Sequence, residues 1–141
     1  MRIKKKFVIC GILYFVFLLV LGLSFWGALL FFIMFFTQLV FPIIFGIFFA
    51  YYSGVICIHM KQQNKHFWQI IYILIPAVMF ISSLIAPHIF GYSFSWYKLT
   101  LPRILNFWSL LFGFIYGLLP AIIGYSTAFI KFRKRGLIIN T

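Results

Sequence analysis

The chain contains no aspartate and no glutamate in its 141 residues. This absence excludes paired carboxylates, carboxylate proton relays and carboxylate-anchored metal sites, which carry much of the chemistry open to a small protein. Charged residues make up 9% of the chain, against roughly a quarter in an ordinary soluble domain. That is too few to cover the surface of a water-soluble fold, so the composition indicates a single integral membrane domain.

Other groups that support catalysis or metal binding are also scarce. The chain has three histidines, His59, His66 and His88, and two cysteines, Cys10 and Cys57. They do not stand at the spacing of a zinc site, and a disulfide is not expected if both cysteines lie near a reducing compartment. We therefore expect no enzymatic activity and no catalytic, cofactor-binding or metal-binding residues.

Long uncharged stretches dominate what is present. The chain runs from Lys6 to Lys61 over more than fifty residues without a charge, and one span needs about 20 residues. This block is long enough for two spans and a turn, which we place near Thr37–Gln38, with Pro42 close to the start of the second helix. The whole sequence predicts an all-α bundle of four transmembrane helices at about 7–30, 38–59, 67–86 and 103–130, with a basic tail at 131–141.

The basic residues predict an orientation. Ten of the twelve lie at the N-terminus, between helices two and three, and in the tail, whereas two lie between helices three and four. The positive-inside rule places both termini in the cytoplasm. Because the charges flank apolar segments, we expect contact with anionic lipid headgroups and not with nucleic acid. The tail residues assigned to this lipid anchoring are Lys131, Arg133, Lys134 and Arg135.

Small residues recur every four positions in helices two and four. Residues four apart share one helix face, and lipid provides no hydrophobic drive for helix association, so close backbone approach has to provide it. We predict that these faces pack against each other or against neighbouring helices of the same chain, with homodimerisation as the alternative. The residues are Gly46, Ala50, Gly54, Gly113, Gly117 and Ala121.

Helices three and four share a weak internal repeat, in which Tyr72 precedes Pro76 and Tyr116 precedes Pro120. One interpretation is a pair of broken helices whose freed carbonyls line a transport site. The interpretation we prefer is that neighbouring helices satisfy the backbone groups that each proline leaves unpaired.

The connection between helices three and four alternates aromatic residues with serines and carries two basic residues. In an extended segment the three rings lie on one side. An aromatic belt at the headgroups explains this pattern without a partner, and a docking surface is the alternative. The residues concerned are Tyr92, Phe94, Trp96, Lys98 and Arg103.

These features leave two functional hypotheses. The first is a small multi-pass membrane protein that acts by binding another membrane protein or itself, as an accessory subunit, regulator or immunity-type protein. The second is a small oligomeric channel or transporter for an uncharged or anionic solute, which the lack of a charge at the centre of any span disfavours. The bias toward Phe, Ile, Leu, Tyr and Lys is typical of an AT-rich genome, so we expect a bacterial plasma membrane.

Overall fold

The computed structural model describes residues 2–24, 32–89 and 107–134. Within these ranges every regular element is a helix, which confirms the all-α prediction for this part of the chain. The elements are α1 (Arg2–Ser24), α2 (Phe32–Gln62), α3 (His66–Ile73), α4 (Ile75–Ile89), α5 (Phe107–Gly113), a π-helical segment (Phe114–Leu118) and α6 (Leu119–Lys134).

Three helical stretches among the described residues are long and apolar enough to cross a membrane. They are Val40–Gln62, His66–Ala86 and Ser109–Arg133. The second combines α3 and α4, and the third continues from α5 through the π-helical segment into α6. By length and composition, the described helices are therefore consistent with a membrane protein.

The start of α2 differs from the predicted position. Thr37 and Gln38, which we expected in a turn, lie inside α2, so Pro42 stands in the helix interior and is buried. One polar pair does not end a helix, because both residue types are tolerated in helices. Residues 25–31, where helix one was predicted to end, lie outside the described residues.

α1 and α2 pack as an antiparallel pair through aromatic rings. Phe7 stacks on Phe49 with 4.8 Å between ring centroids, and Phe17 stacks on Phe45 at 5.4 Å. Gly11 allows the approach, since a Cβ there would lie 2.7 Å from an atom of the Phe49 ring. The start of α1 therefore lies beside the C-terminal half of α2.

α2 and α6 pack as a parallel pair through small residues. A Cβ on Gly124 would lie 2.6 Å from the Ala50 Cβ and 2.7 Å from the Tyr51 backbone nitrogen, so the two backbones are nearly in contact. The facing residues keep one register along the pair, as expected for two helices that run in the same direction. The facing pairs are Gly46 with Pro120, Ala50 with Gly124, and Gly54 with Ala128.

The other small residues that we predicted to mediate helix packing face α4 or the core. A Cβ on Gly113 would lie 2.8 Å from Leu84 Cδ2, and one on Gly117 would lie 2.7 Å from Phe80 Cα. Ala121 is 2% exposed and belongs to the core. These three positions thus pack inside the chain, so their smallness is explained without a second copy.

The core lies where α1, α2, α4 and the last span meet. Two tyrosines, Tyr14 and Tyr116, are among its buried members. The core residues are Tyr14, Leu18, Phe49, Ala50, Met79, Ala86, Tyr116 and Ala121.

This arrangement gathers basic side chains at one end of the bundle. The start of α1, the second half of α2 and the end of α6 meet there, because Ile3, Val55 and Phe132 line a common cavity. We call this end, with all the Lys and Arg side chains that the structure describes, the basic end. These side chains are Lys4, Lys5, Lys6, Lys61, Lys65, Lys131 and Arg133.

Gly124→Ala tests the α2–α6 contact. The added methyl group overlaps the Ile47 carbonyl and Ala50, so we expect the free energy of unfolding in detergent micelles to fall by about 1–3 kcal/mol. The control is Ser126→Ala, which places the same side chain on the exposed face of α6 and should change stability by less than about 0.5 kcal/mol. A Gly124→Ala protein as stable as the control would contradict the described packing.

Candidate functional site

Four prolines lie inside the described helices, and each removes the usual helical donor of the carbonyl four residues earlier; side-chain hydroxyls contact two of these carbonyls. The carbonyl of residue i normally accepts from the N–H of residue i+4, and proline has no N–H. Pro76 removes the donor for Tyr72, and Pro120 removes the donor for Tyr116. A carbonyl packed between helices needs another donor within the protein, and the backbone at the end of α3 supplies one N–H to the Tyr72 oxygen.

A tyrosine of α1 supplies the donor for the Tyr116 carbonyl. Tyr14 Oη donates to this oxygen at 2.8 Å and lies 3.4 Å from the Met79 carbonyl oxygen. The side chain of Tyr14 is fully buried. A buried phenol needs a hydrogen-bond partner as much as the carbonyl needs a donor, so the contact satisfies both groups. It also ties α1 to the last span and to α4.

A second tyrosine, on α6, caps the Tyr72 carbonyl. Tyr125 Oη donates to this oxygen, and Ser53 Oγ of α2 lies 3.1 Å from it and 2.8 Å from Tyr125 Oη. Each hydroxyl has one proton, so two of these three contacts carry a hydrogen bond at any moment. We call Tyr14, Ser53 and Tyr125 the capping hydroxyls. The Tyr72 cap joins α2, α3 and α6.

The helix that contains Tyr116 changes its hydrogen-bond pattern beside the cap. Leu119 N–H bonds to the Phe114 carbonyl five residues back, as in a π-helix, and Pro120 follows directly. Such widened turns are rare and interrupt the regular helix. The carbonyl that Tyr14 caps therefore lies at an irregular point of the last span.

Further polar groups in the spans are also satisfied within the protein. Ser83 Oγ lies 2.9 Å from the Phe80 carbonyl oxygen of its own helix and 3.3 Å from the Gly113 carbonyl oxygen of α5. Across the described residues, no buried side-chain nitrogen or oxygen lacks a hydrogen-bond partner. The polar side-chain atoms that this part of the structure buries are therefore bonded within the protein.

The predicted sites are placed as follows. Lys131 and Arg133 are exposed at the basic end, and Lys134 is the last residue of α6. Arg135 and the predicted docking surface (Tyr92, Phe94, Trp96, Lys98 and Arg103) lie outside the described residues. The described part of the chain contains no group of three or more His, Cys, Asp or Glu side chains that is placed to hold a metal ion.

The capping hydroxyls were not singled out by the sequence. Pro76 and Pro120 signal that two carbonyls need donors, but a linear sequence does not show which hydroxyls reach them. Tyr14 lies 102 residues from Tyr116 along the chain and Tyr125 lies 53 residues from Tyr72, so only the packing brings each hydroxyl to its carbonyl.

Comparison with known proteins does not assign the chain to a family. No protein-family model matches the chain, and no curated protein or solved structure matches it significantly. The described geometry is therefore the basis for the functional proposal.

The Tyr72 cap is tested by combining Ser53→Ala and Tyr125→Phe. Each single variant leaves one hydroxyl near the carbonyl, so we expect a loss of about 1 kcal/mol in the free energy of unfolding. The double variant removes both, and its loss should exceed the sum of the two single losses by at least about 0.5 kcal/mol. Strictly additive losses would show that the two hydroxyls do not serve one carbonyl.

Proposed function

We propose that this chain is a small multi-pass membrane protein that acts by binding another membrane protein, as an accessory subunit, regulator or immunity-type protein, without catalysis of its own. The observation that carries this proposal is the use of the polar groups inside the bundle. The capping hydroxyls contact backbone carbonyls of neighbouring helices, and the described interior leaves none of its buried side-chain polar atoms for a passing solute. Channels and carriers work through polar groups that face the solute.

A protein whose buried polar groups are paired acts through its surface, and of the three long apolar stretches the second is the least buried. Of the stretch His66–Ala86, 22% is buried, against 56% of Val40–Gln62. α3 has no buried residue. We call its exposed stripe, which continues into α4 at helical spacing, the third-span face; it consists of Ile70, Leu74, Ala77 and Ile81.

The third-span face contains a small residue, which favours contact with another helix and which contact with lipid alone does not require. Ala77 is a small residue in the middle of larger apolar ones, and small residues allow the close backbone approach on which helix association in membranes depends. This feature supports a partner helix that crosses the same bilayer.

We also propose that the chain crosses a bacterial plasma membrane four times with both termini in the cytoplasm. α1 supports a fourth span, because an apolar stretch begins at Phe7 directly after three lysines. The gathering of the described basic side chains at one end of the bundle supports an orientation with that end inside.

Orientation is tested with single thiols. With Cys10 and Cys57 replaced by alanine, a membrane-impermeant maleimide should label Ser95→Cys in intact cells and should label Lys65→Cys only after the membrane is permeabilised. Labelling of Lys65→Cys alone in intact cells would reverse the proposed topology.

Partner binding is tested with Ala77→Trp. The tagged protein is purified from native membranes in a mild detergent, and co-purifying membrane proteins are measured by quantitative mass spectrometry. We expect a stoichiometric partner whose recovery falls at least about tenfold in this variant, because the indole prevents close approach of a helix.

The matched control is Val16→Trp, which places the same bulk on the exposed face of α1 and should leave partner recovery unchanged. Recovery of the chain without a partner, together with solute flux through liposomes that contain it, would contradict the proposal and support the channel or transporter hypothesis.

A further inference from the structure

A cavity of about 510 Å³ lies between α2, α6 and the first turn of α1, at the basic end. Its volume is within the range of about 300–1,000 Å³ typical of small-molecule sites. Ile47, Phe48 and Val55 contribute apolar walls on α2, whereas Thr127 and Lys131 contribute polar groups on α6. Phe48, Thr127 and Lys131 are exposed, so the cavity opens sideways from the bundle, toward the membrane.

Lys131 places a positive charge at the wall of this cavity. Its ammonium lies 5.6 Å from the centroid of the Tyr51 ring, so the side chain folds back along α6 toward the bundle instead of extending past the helix end. The ring face stabilises a cation but does not neutralise it. Because the chain has no aspartate or glutamate, none of its side chains can serve as the counter-ion.

The cavity has polar groups on one side and an apolar wall on the other. The stretch of α2 that lines it runs from Val55 to Ile47, a distance of about 12 Å at 1.5 Å per residue. The ammonium of Lys131 and the hydroxyl of Thr127 lie on the α6 side, whereas the α2 wall is apolar at both ends, at Val55 and at Ile47 and Phe48. A ligand that fits has an anionic group joined to a hydrocarbon chain.

We propose that this cavity binds one anionic phospholipid from the leaflet at the basic end. The phosphate lies beside the ammonium of Lys131, and the upper part of an acyl chain lies against Ile47 and Phe48. The other basic side chains of this end raise the local concentration of anionic lipid, which favours this occupant over a soluble anion. The inference rests on the proposed insertion in a membrane, but the site is separate from the third-span face and does not depend on a protein partner there.

The test uses the full-length protein, purified in a mild detergent and titrated with palmitoyl-oleoyl phosphatidylglycerol, with bound lipid counted by native mass spectrometry. Lys131→Gln should weaken binding about tenfold, because it removes a charge-assisted contact. The matched control is Arg133→Gln, which removes the same charge two residues along α6 from a side chain that does not line the cavity, and should change binding less than about twofold.

Two further variants separate lipid binding from a loss of folding. Lys131→Arg keeps the charge and should retain binding. Thr127→Phe keeps the charge but fills the cavity, and should lose phosphatidylglycerol while the protein still elutes as the wild type does in size-exclusion chromatography. Retained binding in Thr127→Phe would show that the lipid lies elsewhere.

Three other outcomes would overturn the proposal. Equal binding of phosphatidylglycerol by Lys131→Gln and Arg133→Gln would show that the lipid responds to the general surface charge and not to this cavity. Displacement of the lipid by millimolar glycerol 3-phosphate would identify a site for a soluble anion. Loss of a co-purified protein from Lys131→Gln with unchanged lipid binding would make the cavity a protein contact.

Discussion

In the membrane location that we propose, the absence of water from the bilayer core is the constraint on which this structure depends. A proline inside a span removes a backbone donor, and a carbonyl left without one in hydrocarbon costs several kcal/mol. Here tyrosine hydroxyls from other helices provide the donors, for Tyr116 from Tyr14 and for Tyr72 from Tyr125 with Ser53. Each cap is a contact between helices, so two local defects in the backbone become two of the points that hold the bundle together.

Close approach of the helices makes this capping possible. The small residues of α2 and α6 bring the two backbones almost into contact, and that approach carries Tyr125 to Ser53 and to the third helix. Packing and hydrogen bonding therefore support each other: without the small residues the hydroxyls do not reach the carbonyls. With the polar groups used in this way, the external faces of the bundle are left for binding, which is why we propose a binding function and not a transport function.

The sequence predicted the helical class and the positions of the long apolar helices, because the length of a hydrophobic run is a local property of the chain. It also predicted which small residues allow helices to pack closely, because residue size is local as well. It misplaced the start of α2, since Thr37 and Gln38 are polar without being helix breakers. It also indicated that Pro76 and Pro120 need compensation but not which side chains supply it. Tyr14 is separated from Tyr116 by most of the chain, and only the mutual arrangement of the helices decides that they meet. The cavity beside Lys131 was likewise not predicted, because it forms only where α1, α2 and α6 pack together.

A double-mutant cycle between Tyr14 and Pro120 tests the central claim most directly. Tyr14→Phe alone should lower the free energy of unfolding by about 1–3 kcal/mol, because the Tyr116 carbonyl stays buried without its side-chain donor. In a Pro120→Ala background, residue 120 regains an N–H that can serve this carbonyl, and the same tyrosine substitution should cost at least about 1 kcal/mol less. An equal loss in both backgrounds would contradict the account, because the tyrosine would then stabilise the bundle independently of the proline.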